Sequence, residues 1–186
     1  MDAEKDETDL IVKEICFSKQ NSDMSELFKY KNFNIHKLLE IIQQKFTPRC
    51  FFSKVSDNIL RHIINCANDF QSTDMYGNTL LHHICAFCSP TIIKYIINKK
   101  VININSKNNN NSIPIIIYAI NNRRHSETEI MEILKFMVEN GADINYSGAP
   151  GLTILFDFIR KNNSLMVKYC IELGADINKQ ANLYKN

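Results

Sequence analysis

The sequence predicts an all-α solenoid: helix–turn–helix repeats stacked side by side and joined by β-turns. Three observations lead there. The pentapeptide Gly-Ala-Asp-Ile-Asn occurs twice, at 141–145 and 174–178, 33 residues apart. Each copy is preceded by an amphipathic segment, in which Ile130, Ile133, Leu134 and Met137 fall on one helical face. Weaker versions of the motif end at Gln71 ("ANDFQ") and Asn105 ("VININ"), so the spacings between successive copies are 34, 40 and 33 residues. A fixed period of this length marks stacked modules that bury a core only against their neighbours.

Taken in order, residues 1–33 read as an acidic solvated tail, "MDAEKDETD", followed by short capping helices in "TDLIVKEICFSK" and "SDMSELFKY". A degenerate first repeat is expected at 34–73, with "NIHKLLEIIQQ" as its inner helix, "KFTPRCFFSKVS" as a long loop and "DNILRHIINC" (57–66) as its outer helix. The second repeat, 74–107, opens with the turn and helix "DMYGNTLLHHIC" and continues with "PTIIKYIINK". The third, 108–147, has "NNNNSIPIIIYA" and "TEIMEILKFMVEN". Its interval carries seven extra residues, which the polar stretch "NNRRHSETE" (121–129) would absorb as a mobile surface insertion between helices. The fourth, 148–180, has "GAPGLTILFDFI" and "SLMVKYCIEL", and 181–186 would begin an incomplete repeat. Thr91, Thr128 and Ser164 lie at or beside helix starts, where a hydroxyl accepts from an orphan N–H. The glycine that closes each module has a physical reason. A helix stop of this kind needs a left-handed residue, where a Cβ costs about 1–2 kcal/mol. Val101 and Ala67 occupy the glycine position in the two weaker copies, which predicts looser ends there.

These residues make the chain resemble the ankyrin repeat family, whose pattern is D-x-x-G-x-T-P-L-H-x-A followed later by L-L-x-x-G-A-D-x-N. In the second repeat Asp74, Gly77, Thr79, Leu81 and His82 match, with Leu80 where proline is usual. The third keeps Pro114 but has Asn108, Asn111, Ile113 and Ile116 at the Asp, Gly, Thr and His positions, so its turn should be the most irregular. The fourth keeps Gly151 and Thr153 and has Phe156 at the His position. The resemblance covers about 57–180 well. In its Ile, Asn and Lys richness and its uneven repeat lengths the chain is most similar to the poxvirus ankyrin repeat proteins of host-range type, which act on host defence.

Little in the sequence points to catalysis, and no cofactor or metal is expected. Five glycines leave no phosphate-binding loop, dinucleotide fingerprint or nucleophile elbow. His82, His83, Cys85 and Cys88 offer zinc-type donors within seven positions, but one helix cannot aim all four at a tetrahedral centre. Cys85 instead falls at the small buried position of the repeat, and His82 at that of its structural histidine. Phe51, Phe52, Phe156 and Phe158 read as core or inter-repeat packing. A net charge of +2 gives no basis for a nucleic-acid or membrane partner, and no run reaches the ~18 apolar residues of a membrane span.

The expected function is therefore non-enzymatic protein–protein interaction. In the ankyrin family, partners meet the turn tips and the exposed end of each inner helix. Carried onto this chain, the resemblance implies Met75, Tyr76 and Asn78 with Ala86 and Phe87; Asn109, Asn110 and Ser112 with Ile120 and Asn121; and Ala149, Pro150 and Leu152 with Arg160 and Lys161. Tyr76 and Phe87 are the best anchors, since aromatic residues dominate interface energetics, unless Phe87 packs under the inserted loop. The expected partner is a host or cellular protein, sequestered to blunt innate defence in the NF-kappa-B or interferon pathway, in the cytoplasm or alternatively the nucleus. The alternative is a fragment or remnant of a longer ankyrin-repeat ubiquitin-ligase adaptor. An uncapped fourth repeat would expose Ile154, Phe158 and Val167 and favour self-association.

Overall fold

The computed structural model describes residues 8–17, 29, 31–45, 47–109, 114–146 and 153–179. Its helices are α1 (Thr8–Phe17), α2 (Ile35–Lys45), α3 (Pro48–Lys54), α4 (Asp57–Cys66), α5 (Leu80–Phe87), α6 (Pro90–Asn98), α7 (Ile115–Ile120), α8 (Glu127–Glu139), α9 (Ile154–Arg160) and α10 (Ser164–Glu172). Two short strands, β1 (Phe33–Asn34) and β2 (Ala67–Asn68), pair in parallel. Residues 1–7, the end of the first predicted capping segment, all but Lys29 of the second, and the predicted starts at 148–152 and 181–186 lie outside the described residues.

The helices form two layers, as expected for antiparallel pairs that must each bury one face. In the inner layer α5 packs on both α3 and α7; in the outer layer α6 packs on both α4 and α8. The core runs continuously between the layers, through Leu81, Ile84, Ile93, Ile96, Ile115, Leu134 and Ile154. α1 packs on α2 and α3 and closes the N-terminal end. Each outer helix begins at a side-chain cap: Ser56, Ser89, Ser126 and Asn163 accept from the N–H three residues on. Two of these starts are also tied across repeats. Ser89 Oγ donates to Asp57 Oδ2 at 2.7 Å, and Asn163 Nδ2 donates to Glu127 Oε1 at 2.5 Å.

Three features differ from the sequence expectation. First, the predicted long loop 45–56 holds α3, the inner partner of α4, so α2 belongs with α1 to the N-terminal cap. Thr47 caps α3, Pro48 supplies its first turn without needing a donor, and Phe51 and Phe52 are buried. Second, the extra residues of the third repeat are divided. The connection from α7 to α8 has six residues against two from α5 to α6, while α8 has 13 residues against nine in α6. The first turn of α8 takes in 127–129, because Ser126 and Glu129 form a reciprocal capping box. Third, the left-handed stop of the second repeat is Lys100 (φ +54°), not Val101, and that of the first is Asp69 (φ +56°), not Ala67. One residue is inserted between Lys100 and Asn103 relative to Gly141 and Asp143, which hid the correspondence.

The recurring Gly-Ala-Asp-Ile-Asn now has a mechanical explanation. Gly141 and Gly174 adopt φ of +91° and +94° to end the outer helices. Ala142 and Ala175 are buried against the core. Asp143 and Asp176 accept from the N–H of Asn145 and Asn178, tightening the turn. The asparagine then reaches across to the next module. Asn105 Nδ2 donates to Gly141 O at 2.8 Å and its Oδ1 accepts from Asp143 N at 2.9 Å; Asn145 makes the same pair with Gly174 O and Asp176 N at 3.1 and 2.7 Å. Gln71 at the matching place in the first repeat donates to Val101 O at 2.9 Å.

Candidate protein-binding surface

The turn between Asp74 and Thr79 is held by a dense set of side-chain hydrogen bonds. The Asp74 side chain is buried and accepts from Tyr76 N (2.9 Å), Asn78 N (2.8 Å), Asn78 Nδ2 (3.1 Å) and His83 Nε2 (3.0 Å). Burial raises the pKa of its carboxyl, but the hydrogen bonds from His83 and Asn78 outweigh that and bring it down to about 2. His82 Nδ1 accepts from both the N–H and the hydroxyl of Thr79, fixing the start of α5. The network then crosses to the third repeat. Asn108 Nδ2 and Tyr118 Oη both donate to Asn78 Oδ1, at 3.1 and 2.8 Å, and Asn108 also donates to Tyr118. Burial, with the Asp74 charge adding to it, raises the Tyr118 pKa and keeps its hydroxyl a donor.

This frame presents Met75 and Tyr76, which are 72% and 53% exposed. Tyr76 is fixed from below, since its carbonyl accepts from Asn109 N at 2.7 Å. Gly77 is essential at this contact: it has φ +77°, and a Cβ there would lie 2.5 Å from Asn109 N. Asn109, Asn121, Arg160 and Lys161 are also exposed. Lys161 Nζ donates to Asn121 Oδ1 at 3.0 Å, which links the inner-helix ends of the third and fourth repeats.

Other expected members of the surface sit elsewhere. Asn78 is buried as the hub of the turn network, and Ile120 is buried in the core. Phe87 is half-buried, stacked on Phe52 with 6.4 Å between ring centres, and Arg124 Nη1 donates to its carbonyl at 3.1 Å. It packs against Phe52 and the inserted loop, and Ala86 beside it is likewise half-buried. Asn110, Ser112, Ala149, Pro150 and Leu152 lie outside the described residues.

The segment expected to be a mobile insertion is tethered. Asn122 is buried and its Nδ2 donates to Cys85 O and Cys88 O at 3.2 and 3.4 Å; His125 Nε2 reaches Cys88 O at 2.9 Å. Phe52, Phe87, Ser89, Arg124 and His125 line a pocket of about 300 Å³ that is open to solvent on one side. The four zinc-type donors are used as structural groups. His82 and His83 serve Thr79 and Asp74, and Cys85 and Cys88 are buried among apolar side chains. Burial raises the Cys85 thiol, and burial together with the nearby Asp57 charge raises Cys88 to about 12, so both are poor nucleophiles at neutral pH. Phe156 departs from the expected packing role and is exposed.

A stack of helix pairs with turns projecting along one edge defines the class of solenoid scaffolds that bind other proteins. Within that class the assignment is specific: the ankyrin-repeat sequence pattern matches residues 51–147 as three copies, and the chain belongs to the ankyrin repeat family. That match begins within α3, in keeping with Thr47-Pro48 opening the first repeat. Among solved structures, the chain is similar to the crystal structure of the ankyrin repeat domain of Bcl-3, described as a unique member of the IkappaB protein family. The TM-score is 0.63 with 18% identity, covering 97% of this chain and 76% of that one. At that identity the likeness shows the shared fold. No curated protein sequence matches the chain.

Proposed function

We propose that the chain binds a host protein along the ridge of turns centred on Met75 and Tyr76, and sequesters it to blunt innate defence signalling of the NF-kappa-B or interferon type in the cytoplasm. The single observation that carries the binding reading is the pairing of two large exposed apolar side chains with a buried network that holds their backbone in place. Preorganisation of this kind lowers the ordering cost of association, and a rigid aromatic anchor is the commonest source of interface energy. The host-defence reading is supported by the sequence resemblance to poxvirus ankyrin proteins. The neighbouring Asn109, exposed and bonded to the Tyr76 carbonyl, gives the ridge a polar group able to satisfy hydrogen bonds beside the anchor.

Affinity capture from human cells with quantitative mass spectrometry tests this, using the wild type beside Met75→Ala/Tyr76→Ala. The expected result is at least one specific host protein, lost at least tenfold in the double variant, together with loss of repression in NF-kappa-B or interferon reporter assays. Both side chains project into solvent, so the double variant should melt within a degree or two of wild type. Capture and repression that persist unchanged in the double variant would overturn the proposed ridge.

A further inference from the structure

We propose that the pocket at the far end of α5 from Met75 and Tyr76, with the trough that continues it along α6, is a second docking site. Its occupant is an extended acidic segment of a protein partner that carries one large apolar side chain. The site is separate from the ridge. α5 has eight residues, so its start beside the ridge and its end at Phe87 are about 12 Å apart.

The longer α7–α8 connection of the third repeat builds the pocket by turning back over the second repeat. Arg124 Nη1 donates to Phe87 O at 3.1 Å and His125 Nε2 reaches Cys88 O at 2.9 Å, so the loop stands as a wall beside the end of α5. The floor is apolar: Phe52, Val55 and Leu60 are buried, and Phe87 stacks on Phe52. About 300 Å³ with one open side has the form of a socket for a single side chain. Past Ser89, Pro90 and Glu129, which line both spaces, the pocket continues into a trough of about 560 Å³ bordered by Arg61, Lys94, Tyr95 and Glu132. A socket with a trough leading from it fits an extended chain with one anchoring side chain.

The charge of the groove selects an acidic chain. Its own acids are already compensated. Asp57 and Glu129 lie in the first turns of α4 and α8, where the helix dipole offsets a negative charge. Asp57 also accepts from Ser89 Oγ and Glu129 from Ser126, and Glu132 pairs with Lys94. The two guanidinium groups have no such partner. Arg124 meets the Phe87 carbonyl, and Arg61 lies 4.5 Å from the centre of the Tyr95 ring; neither has a carboxylate within ion-pair distance among the described residues. Lys99, 5.5 Å from the same ring, adds positive charge at that end. A guanidinium offers a fork of N–H donors that matches a carboxylate. A peptide can set carboxylates on Arg124 and Arg61 and pass Glu129 and Glu132 with neutral groups. A nucleic acid, with a phosphate at every step, would meet those acids.

Fluorescence polarisation with the full chain tests the proposal. The probes are three fluorescein-labelled heptapeptides, Asp-Glu-Asp-X-Asp-Glu-Asp, with leucine, phenylalanine or tryptophan at X. At least one should bind with Kd below about 100 μM. Serine at X should weaken it at least fivefold, and lysine in place of every acid should abolish binding. Arg61→Glu/Arg124→Glu should weaken binding at least tenfold. Met75→Ala/Tyr76→Ala should bind the probes as wild type, so failure of this site and failure of the ridge are distinguishable. Because Arg124 also holds the loop, amide NMR shifts of the wild type on adding peptide give a readout free of substitutions. Phe87, Ser89, Arg124 and Glu129 should move, and Tyr76 and Gly77 should not. No binding of any probe at about 1 mM would overturn the proposal. So would equal binding of the lysine peptide, preferential binding of a labelled oligouridine, or shifts centred on Met75 and Tyr76.

Discussion

At the junction between the second and third repeats, Asn78, Asn108 and Tyr118 share a buried set of hydrogen bonds, and α5 packs directly on α7. At the outer side of the fourth repeat, Phe156, Ile159, Ile177 and Asn178, which stand where His82, Cys85, Ile144 and Asn145 do in earlier repeats, are exposed among the described residues. Ile154 and Phe158, expected from the sequence to be exposed there, are buried, and Val167 is half-buried. α9 packs chiefly on its own partner α10, and the fourth repeat joins the stack through side-chain bridges such as Tyr169 Oη to Met131 O at 3.1 Å. The difference teaches that the repeat's residues do not carry stability by themselves. The same isoleucine stabilises when a neighbour removes it from water and contributes little when none does. The hydrogen-bonded turn that carries Met75 and Tyr76, the proposed binding ridge, is accordingly found at the closed junction.

The largest effect should come from breaking that junction at its buried acid. Asp74→Ala leaves two backbone N–H groups, the Asn78 amide and His83 without their acceptor, and should cost about 3 kcal/mol in urea denaturation. Acid should reach the same group. The Asp74 pKa is lowered to about 2 in the folded state from an unfolded value near 3.8, so its contribution is present above the unfolded value. As the pH falls through that window toward 2, about 2 kcal/mol is lost. In Asp74→Asn the acid-side slope of stability between pH 4 and 2 should be correspondingly shallower.

Glycine substitutions sharpen the contrast between packed and open turns. Gly77→Ala meets both a left-handed backbone and the Asn109 N–H, whereas a Cβ at Gly141 or Gly174 meets nothing within 4 Å. Thermal melts should show a penalty of about 1–2 kcal/mol for Gly174→Ala, from backbone conformation alone, and a clearly larger one for Gly77→Ala. The smallest expected effects concern the asparagine bridges. Asn145→Ala removes two inter-repeat hydrogen bonds and should cost about 1 kcal/mol. Asn178→Ala, compared at dilutions where the chain is monomeric, should change stability by no more than a few tenths.

Much of this was legible because period and chemistry agree. The helical faces at 57–66, 90–99, 128–140 and 164–173 are where the amphipathic pattern placed them, and Thr79 and Thr153 open their helices. What the pattern missed has identifiable causes. Thr47-Pro48 carries the cap-and-proline signal of a repeat start, but its helix has only seven residues and directly follows the amphipathic helix α2. Lys100 was hidden because a left-handed lysine has no sequence signature and lies one residue out of register. The burial of Asn78 and Asn122 depends on residues some 30 to 40 positions away, which no local pattern reports. Met75 and Tyr76 were legible as surface because the turn between Asp74 and Gly77 has to project its middle residues.

Stacking as the source of stability is tested most directly by one matched pair of variants in urea denaturation at about 1 μM, where weak association is absent. Ile144 and Ile177 are the same residue in the same motif, buried in one repeat and 68% exposed in the next. Ile144→Ala should cost about 2–4 kcal/mol and Ile177→Ala less than about 0.5 kcal/mol. Equal losses at the two positions, or a larger loss at Ile177, would contradict it.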